Sequence, residues 1–222
     1  MKRIVFVLAM STFFASPGYA ACNSYYGEGV DWTGCFKERL MLVGKDMNKA
    51  IVRKAFLGGT SFRNSNLEGA DFSESELMRV SFTGAKLKGS IFERAYGSRI
   101  SFKKADLTKS HLFKSELQRS NFSNANLTNA NMLKGDFFRS NFTDANLTGV
   151  NLMRSNVSRA IFKGATLKGT DFKKSYMYKA RFEGTDLREA IGLTQQQIDY
   201  ICGDDKTQLP AGLKTPANWK CE

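Results

Sequence analysis

An apolar residue recurs at every fifth position through most of this 222-residue chain, and no helix or flat strand has that period. Positions ending in 2 or 7 read Phe62, Leu67, Phe72, Leu77, Phe82, Leu87 and Phe92, break at Gly97, and resume from Phe102 to Leu187. Two residues before each centre stands a small residue, as at Ser65, Ala70, Ala85, Ala125 and Ala145. Residues two apart in an extended segment face the same side, so centre and small residue point inward together. The position two after the centre is often Gly or Asn, as at Gly69, Gly84, Asn124, Asn129 and Gly149. Those residues accept the positive φ of a tight turn. Each pentapeptide is therefore a short extended edge followed by a corner.

A second period sets how many edges make one turn of the coil. Phe62, Phe82, Phe102, Phe122, Phe142, Phe162 and Phe182 recur every twenty residues, and so do Leu67, Leu87, Leu107, Leu127, Leu147, Leu167 and Leu187. Twenty residues are four edges, so the sequence predicts an all-β, four-sided coil with a Phe column stacked on one wall and a Leu column on the next. Such an array counts as one elongated domain.

Ala125-Asn126-Leu127-Thr128-Asn129 and Ala145-Asn146-Leu147-Thr148-Gly149 carry the A(D/N)LXX pattern, and the chain resembles the pentapeptide-repeat family over about two thirds of its length. The resemblance implies a right-handed quadrilateral β-helix; the hand comes from the family and not from the periodicity. Members that bind DNA gyrase do so as acidic DNA mimics. This chain departs from them, with 33 basic and 21 acidic residues and a net charge of +12.

The sequence divides into four parts. Residues 1–20 read as a secretory signal: Lys2 and Arg3, then the apolar run Ile4 to Phe14, then Pro17, Gly18 and Ala20 before a cleavage point. That run is too short to span a membrane. Export, to a periplasm or its equivalent, is the expectation. Tyr19-Ala20-Ala21-Cys22 also resembles a lipoprotein box, with Tyr where Leu is usual, so a lipid anchor on Cys22 is the lesser alternative. Residues 21–59 are rougher, with Lys37 in a centre position, and read as an N-terminal cap with irregular first coils. Residues 60–190 are the regular repeat, interrupted near Gly97, where a bulge or loosened wall is expected. Residues 191–222 read as a cap: Thr194 and Gln197 form a capping box, Leu193 and Ile198 a staple, and Gly203 a stop for a helix over 194–202.

Four cysteines flank the repeats: Cys22, Cys35, Cys202 and Cys221. Four cysteines allow three pairings. The two ends of the coil lie several turns apart and a disulfide needs Cα atoms within about 7 Å, so the local pairs Cys22–Cys35 and Cys202–Cys221 are expected. Disulfides suit an oxidising compartment.

Catalysis has little to work with. His111 is the single histidine and sits at an outward position with no nucleophile assigned to it. The carboxylates are scattered over outward and corner positions, and the glycines belong to corners and not to phosphate loops. No enzyme, cofactor, metal site or small-molecule substrate is expected.

Positive charge is distributed more tellingly. Folded on the twenty-residue period, Arg79, Arg99, Arg119, Arg139, Arg159 and Lys179 share one corner line, and Arg94, Lys114, Lys134, Arg154 and Lys174 share the line one wall earlier. The other two lines hold mostly Gly and Asn. Phe113, Leu133 and Met153 lie beside the second basic line, and Phe138 and Tyr178 beside the first. Like charges about 5 Å apart repel unless neutralised. Without residues 1–20 the chain keeps 31 basic against 21 acidic residues, a net +10. An anionic partner, either a polymer or a membrane surface, fits this field. Two other readings stand beside it. In one, the basic corners are solvated corners without need of positive φ, copied by duplication. In the other, the apolar positions dock a protein, or the rod is purely structural.

Overall fold

The computed structural model describes residues 22–217, 219 and 220. Within them the backbone winds as a right-handed quadrilateral β-helix of twenty-residue coils. Parallel bridges link positions twenty apart, from Asp31↔Ile51 through Asn121↔Asn141 to Ile161↔Arg181. Each corner is closed by the centre residue's carbonyl accepting the N–H three residues on, as in Ala125 to Phe122 (3.0 Å) and Ala145 to Phe142 (3.0 Å). With φ positive only at the third residue of the four, these are type II turns.

The interior is filled as the two periods require. Phe62, Phe82, Phe102, Phe122, Phe142, Phe162 and Phe182 are all fully buried, and neighbours in the column stack with centroids 4.7–5.4 Å apart. Phe72 and Phe92 form part of a second column that meets the first edge-on at 5.3–5.9 Å. Small inward residues also stitch coils together: Ser65, Ser155, Thr170 and Thr185 donate their hydroxyls to carbonyls 23 residues earlier.

Three local expectations need correction. First, the opening segment is regular: rungs run from Asp31, and Trp32 and Cys35 are buried in it. Lys37 fits its centre position because it lies at the open end of the coil. Its Nζ sits 4.4 Å from the centroid of the Trp32 ring and donates to the Cys22 carbonyl at 2.6 Å.

Second, the wall at Gly97 is drawn in instead of loosened. Here the single bridges widen into a strand pair, β1 (Tyr96–Ser98) parallel to β2 (Glu116–Gln118). A Cβ on Gly97 would stand 2.8 Å from the Leu77 carbonyl carbon. Glycine is there because the neighbouring backbone passes too close for a side chain.

Third, the capping helix α1 is short, Gln195–Ile198. The Thr194–Gln197 capping box forms as expected, and the Gln197 amide donates to the Phe172 and Ser175 carbonyls, both at 3.0 Å, which fixes the helix to the last coils. The chain then leaves the helix early because Cys202 rejoins the ladder opposite Arg181. Gly203 is not a helix stop. It lies against the indole of Trp219, where a Cβ would meet Cε2 at 2.0 Å.

Cys22 and Cys35 form a disulfide with Cα atoms 5.5 Å apart, as the local pairing expects. Cys202 is also disulfide-bonded. Cys221 lies outside the described residues, as do residues 1–20 with the expected signal. No helix of the described residues is long and apolar enough to cross a membrane.

Candidate functional site

The two basic lines lie on the two edges of one wall. The midline of that wall is the bridge column Glu76, Tyr96, Glu116, Asp136, Asn156 and Tyr176. One edge carries Arg94, Lys114, Lys134, Arg154 and Lys174, and the other Arg79, Arg99, Arg119, Arg139, Arg159 and Lys179. The two lines, one wall apart as the twenty-residue period placed them, bound a single wall, and all eleven residues are exposed.

Their backbone is unexpected. Every one of the eleven sits in the left-handed region, with φ between 53° and 59°. The corners filled by Gly obey the same requirement, Gly84 and Gly164 having φ of 67° and 68°. An L-residue with a Cβ is disfavoured there by about 1–2 kcal/mol. The basic corners are therefore not the relaxed positions that the solvated-corner reading supposes.

None of the eleven side chains is in an ion pair among the described residues. The pairs that do form lie elsewhere, at Lys49–Glu28, Arg53–Asp71, Lys54–Glu74, Lys168–Glu189, Arg181–Glu183 and Arg188–Asp186. Glu74 and Lys54 occupy the start of the second basic column, so that column is neutralised in its first coils and unopposed from Arg94 onward. Of the acidic residues on the midline, Asp136 is held by the Gln118 and Asn156 amides at 2.7 and 3.0 Å.

Asp71 shows what a satisfied carboxylate looks like in this fold. Burial pushes its pKa up, but hydrogen bonds from the Ser73 side chain and backbone, then the Arg53 guanidinium, outweigh burial and bring it below the usual value. At the far end Asp204 is held low chiefly by the Gly184 N–H, with Thr207 adding to it.

The apolar positions singled out beside the lines are less available. Phe113, Leu133, Met153 and Phe138 are half-buried, and only Tyr178 is exposed. Lys114 and Lys134 place their Nζ atoms 5.1 and 6.0 Å from the Phe113 ring, and the Arg139 guanidinium lies 5.1 Å from Phe138. Basic side chains thus lie against two of these rings, Phe113 and Phe138.

Sequence reasoning missed Tyr176 and Tyr200. With Tyr178 and α1 they line a cavity of about 500 Å³ at the C-terminal end of the same wall. Tyr176 and Tyr178 flank the centre Met177, a signal that was present; Tyr200 joins them only through the path of the cap.

His111 bridges Ile91 and Asn131 on another wall, exposed. No group of three or more His, Cys, Asp or Glu among the described residues could hold a metal ion.

Coil, corner and column together define a pentapeptide-repeat solenoid, and the comparisons agree. Residues 46–77 and 75–112 match the family of pentapeptide repeats (8 copies), and residues 115–191 match the pentapeptide repeat region. The chain belongs to the pentapeptide-repeat proteins, a family of generally non-catalytic structural and interaction proteins. No curated protein matches its sequence. Among solved structures it is similar to HetL, a pentapeptide repeat protein involved in heterocyst differentiation regulation from the cyanobacterium Nostoc. The identity is 19%, over 85% of this chain and 86% of that one, with a TM-score of 0.49. It is also similar to full-length QnrB1, a plasmid-mediated fluoroquinolone resistance protein, at 19% identity over 82% and 91% of the two chains, with a TM-score of 0.44.

Proposed function

We propose that this protein is an exported, non-catalytic scaffold whose basic-edged wall holds an extended anionic polymer. The observation that carries this reading is the set of eleven unpaired Arg and Lys side chains on left-handed corners at both edges of one wall. A long cationic side chain at such a corner costs stability, and repulsion along each column adds to the cost. A polyanion lying along a column offsets the repulsion and releases its own counterions. The leader-like residues 1–20 and the Cys22–Cys35 disulfide support an oxidising, extracytoplasmic setting.

A polymer suits the wall better than a flat membrane, because the cations form two tracks along the rod, separated by a midline that carries the carboxylates Glu76, Glu116 and Asp136. Protein docking through Phe113, Leu133 and Met153 is disfavoured by their half-burial, with Lys114 and Lys134 lying over Phe113. Mimicry of DNA is disfavoured by the sign of the charge.

The test is binding of the oxidised mature protein to immobilised lipopolysaccharide, anionic phospholipid vesicles and DNA across a salt series, against a variant with Arg99, Arg119, Arg139 and Arg159 changed to Gln. The expected result is polymer binding that weakens steeply with salt and is lost in the variant with folding intact. Equal binding by both proteins, or binding indifferent to salt, would overturn the reading; vesicle binding alone would replace the polymer with a membrane.

A further inference from the structure

We propose that the cavity where the basic-edged wall meets the cap is a binding site for the terminal sugar of an acidic polysaccharide. This rests on the polyanion reading and names the polymer.

The site is assembled from two parts of the chain. The last full coil contributes Tyr176 and Tyr178 on either side of Met177, whose side chain closes the floor and is 3% exposed. The cap contributes Tyr200 and Gln196. The Tyr178 and Tyr200 rings lie 6.3 Å apart at 58°, which makes an angled aromatic cleft and not a parallel slot. All three tyrosines are more than half exposed, so their ring faces are open to a ligand. A cavity of about 500 Å³ is in the range that takes a small ligand or one end of a larger one.

The lining chooses the ligand. Tyrosine faces receive the C–H face of a pyranose ring, and their hydroxyls, with the Gln196 amide, supply hydrogen bonds for a ring bearing several OH groups. Gln197 is not part of that supply, since its amide is spent on Phe172 and Ser175. A planar nucleobase would be served better by parallel rings than by two inclined at 58°. The single cation at the cavity is Lys174, which calls for one acidic group on the sugar.

Position then extends the argument from one ring to a chain. Lys174 is the last rung of one basic column, and Tyr178 adjoins Lys179, the last rung of the other, with the Lys179 Nζ 6.0 Å from the Tyr178 ring. A polymer lying along either column therefore runs to the cavity. The coil rise of about 4.8 Å is close to the length of one pyranose in an extended chain, so successive acidic sugars meet successive rungs.

The experiment titrates the oxidised mature protein with oligogalacturonate, with the neutral oligosaccharide maltotetraose and with single-stranded oligothymidylate. It compares wild type, Tyr178→Ala, Tyr200→Ala and the four-Arg→Gln corner variant. Both tyrosines are exposed, and thermal melts confirm that each variant is folded. The inference expects oligogalacturonate to bind and maltotetraose not to, with each tyrosine change weakening binding about tenfold while leaving its salt dependence intact. The corner variant instead loses binding, as the wall reading requires. If both tyrosine variants bind like wild type while the corner variant fails, the cavity is overturned and the wall stands. If oligothymidylate binds and oligogalacturonate does not, the sugar class is overturned and the wall again stands. If no acidic polymer binds, both fall.

Discussion

Two pairs of corner columns run the length of the same rod, and they meet one backbone requirement in different ways. All four need positive φ. On one pair the need is met mostly by Gly, Asn and Asp, with Lys only at Lys49, Lys104 and Lys109, and a Cβ on Gly84, Gly149 or Gly164 would stand 2.3 Å from the side-chain oxygen of Asn64, Asn129 or Asp144. On the other pair the same geometry, at φ of 53–59°, carries Arg and Lys. Backbone alone does not explain the difference, because the relaxed solution is present one corner away. Cationic side chains are kept where the conformation disfavours them, and residues held in sparsely populated conformations cluster at functional sites.

The largest expected effect is the control for this comparison. Phe122→Ala opens a cavity beneath all four columns alike and should cost about 3–5 kcal/mol in chemical denaturation. Because it weakens the common core, it should not change the relative effects of corner substitutions. A smaller change in stability would mean that the column collapses around the gap.

Exchanging the columns sharpens the contrast. Gly84→Arg places a Cβ against the Asn64 oxygen and in a left-handed corner, and should destabilise by about 1–2 kcal/mol or more. The reverse change, Arg139→Gly, should stabilise by roughly 0.5–1 kcal/mol, the relief of the corner reduced by the extra unfolded-state freedom of glycine. Stabilisation by Gly at other basic corners would extend the rule; a loss of stability at Arg139→Gly would break it.

The smallest effect separates paired from unpaired charge. Asp71 has its pKa lowered in the fold, so its contribution is present above the unfolded value of about 3.9 and is lost as pH falls through the folded value. Unfolding followed from pH 6 to pH 2 should therefore show a loss of stability at the acid end that Asp71→Asn makes shallower.

Most of the coil was legible because its inward positions are dictated by burial, and Phe62 or Leu127 can be read without knowing what lies beside it. The basic columns were legible as lines for the same reason. Their conformation was not, since Arg and Lys give no sign of a left-handed backbone and only the coil's geometry imposes it. Gly203 was misread because the capping box at Thr194 announces a helix but nothing local announces Trp219. Gly97 was visible as a break, yet its consequence depends on how near Leu77 passes. The tyrosine cleft needed Tyr200 to be carried beside Tyr178 by the cap, a contact across 22 residues that no period encodes.

The most direct test measures stability and binding on one protein, with Arg119, Arg139 and Arg159 all changed to Gly. The account predicts a higher melting temperature than wild type together with about tenfold or greater loss of affinity for an acidic polymer at low salt. A variant that is less stable, or that binds as well as wild type, would contradict the claim that these corners trade stability for a partner.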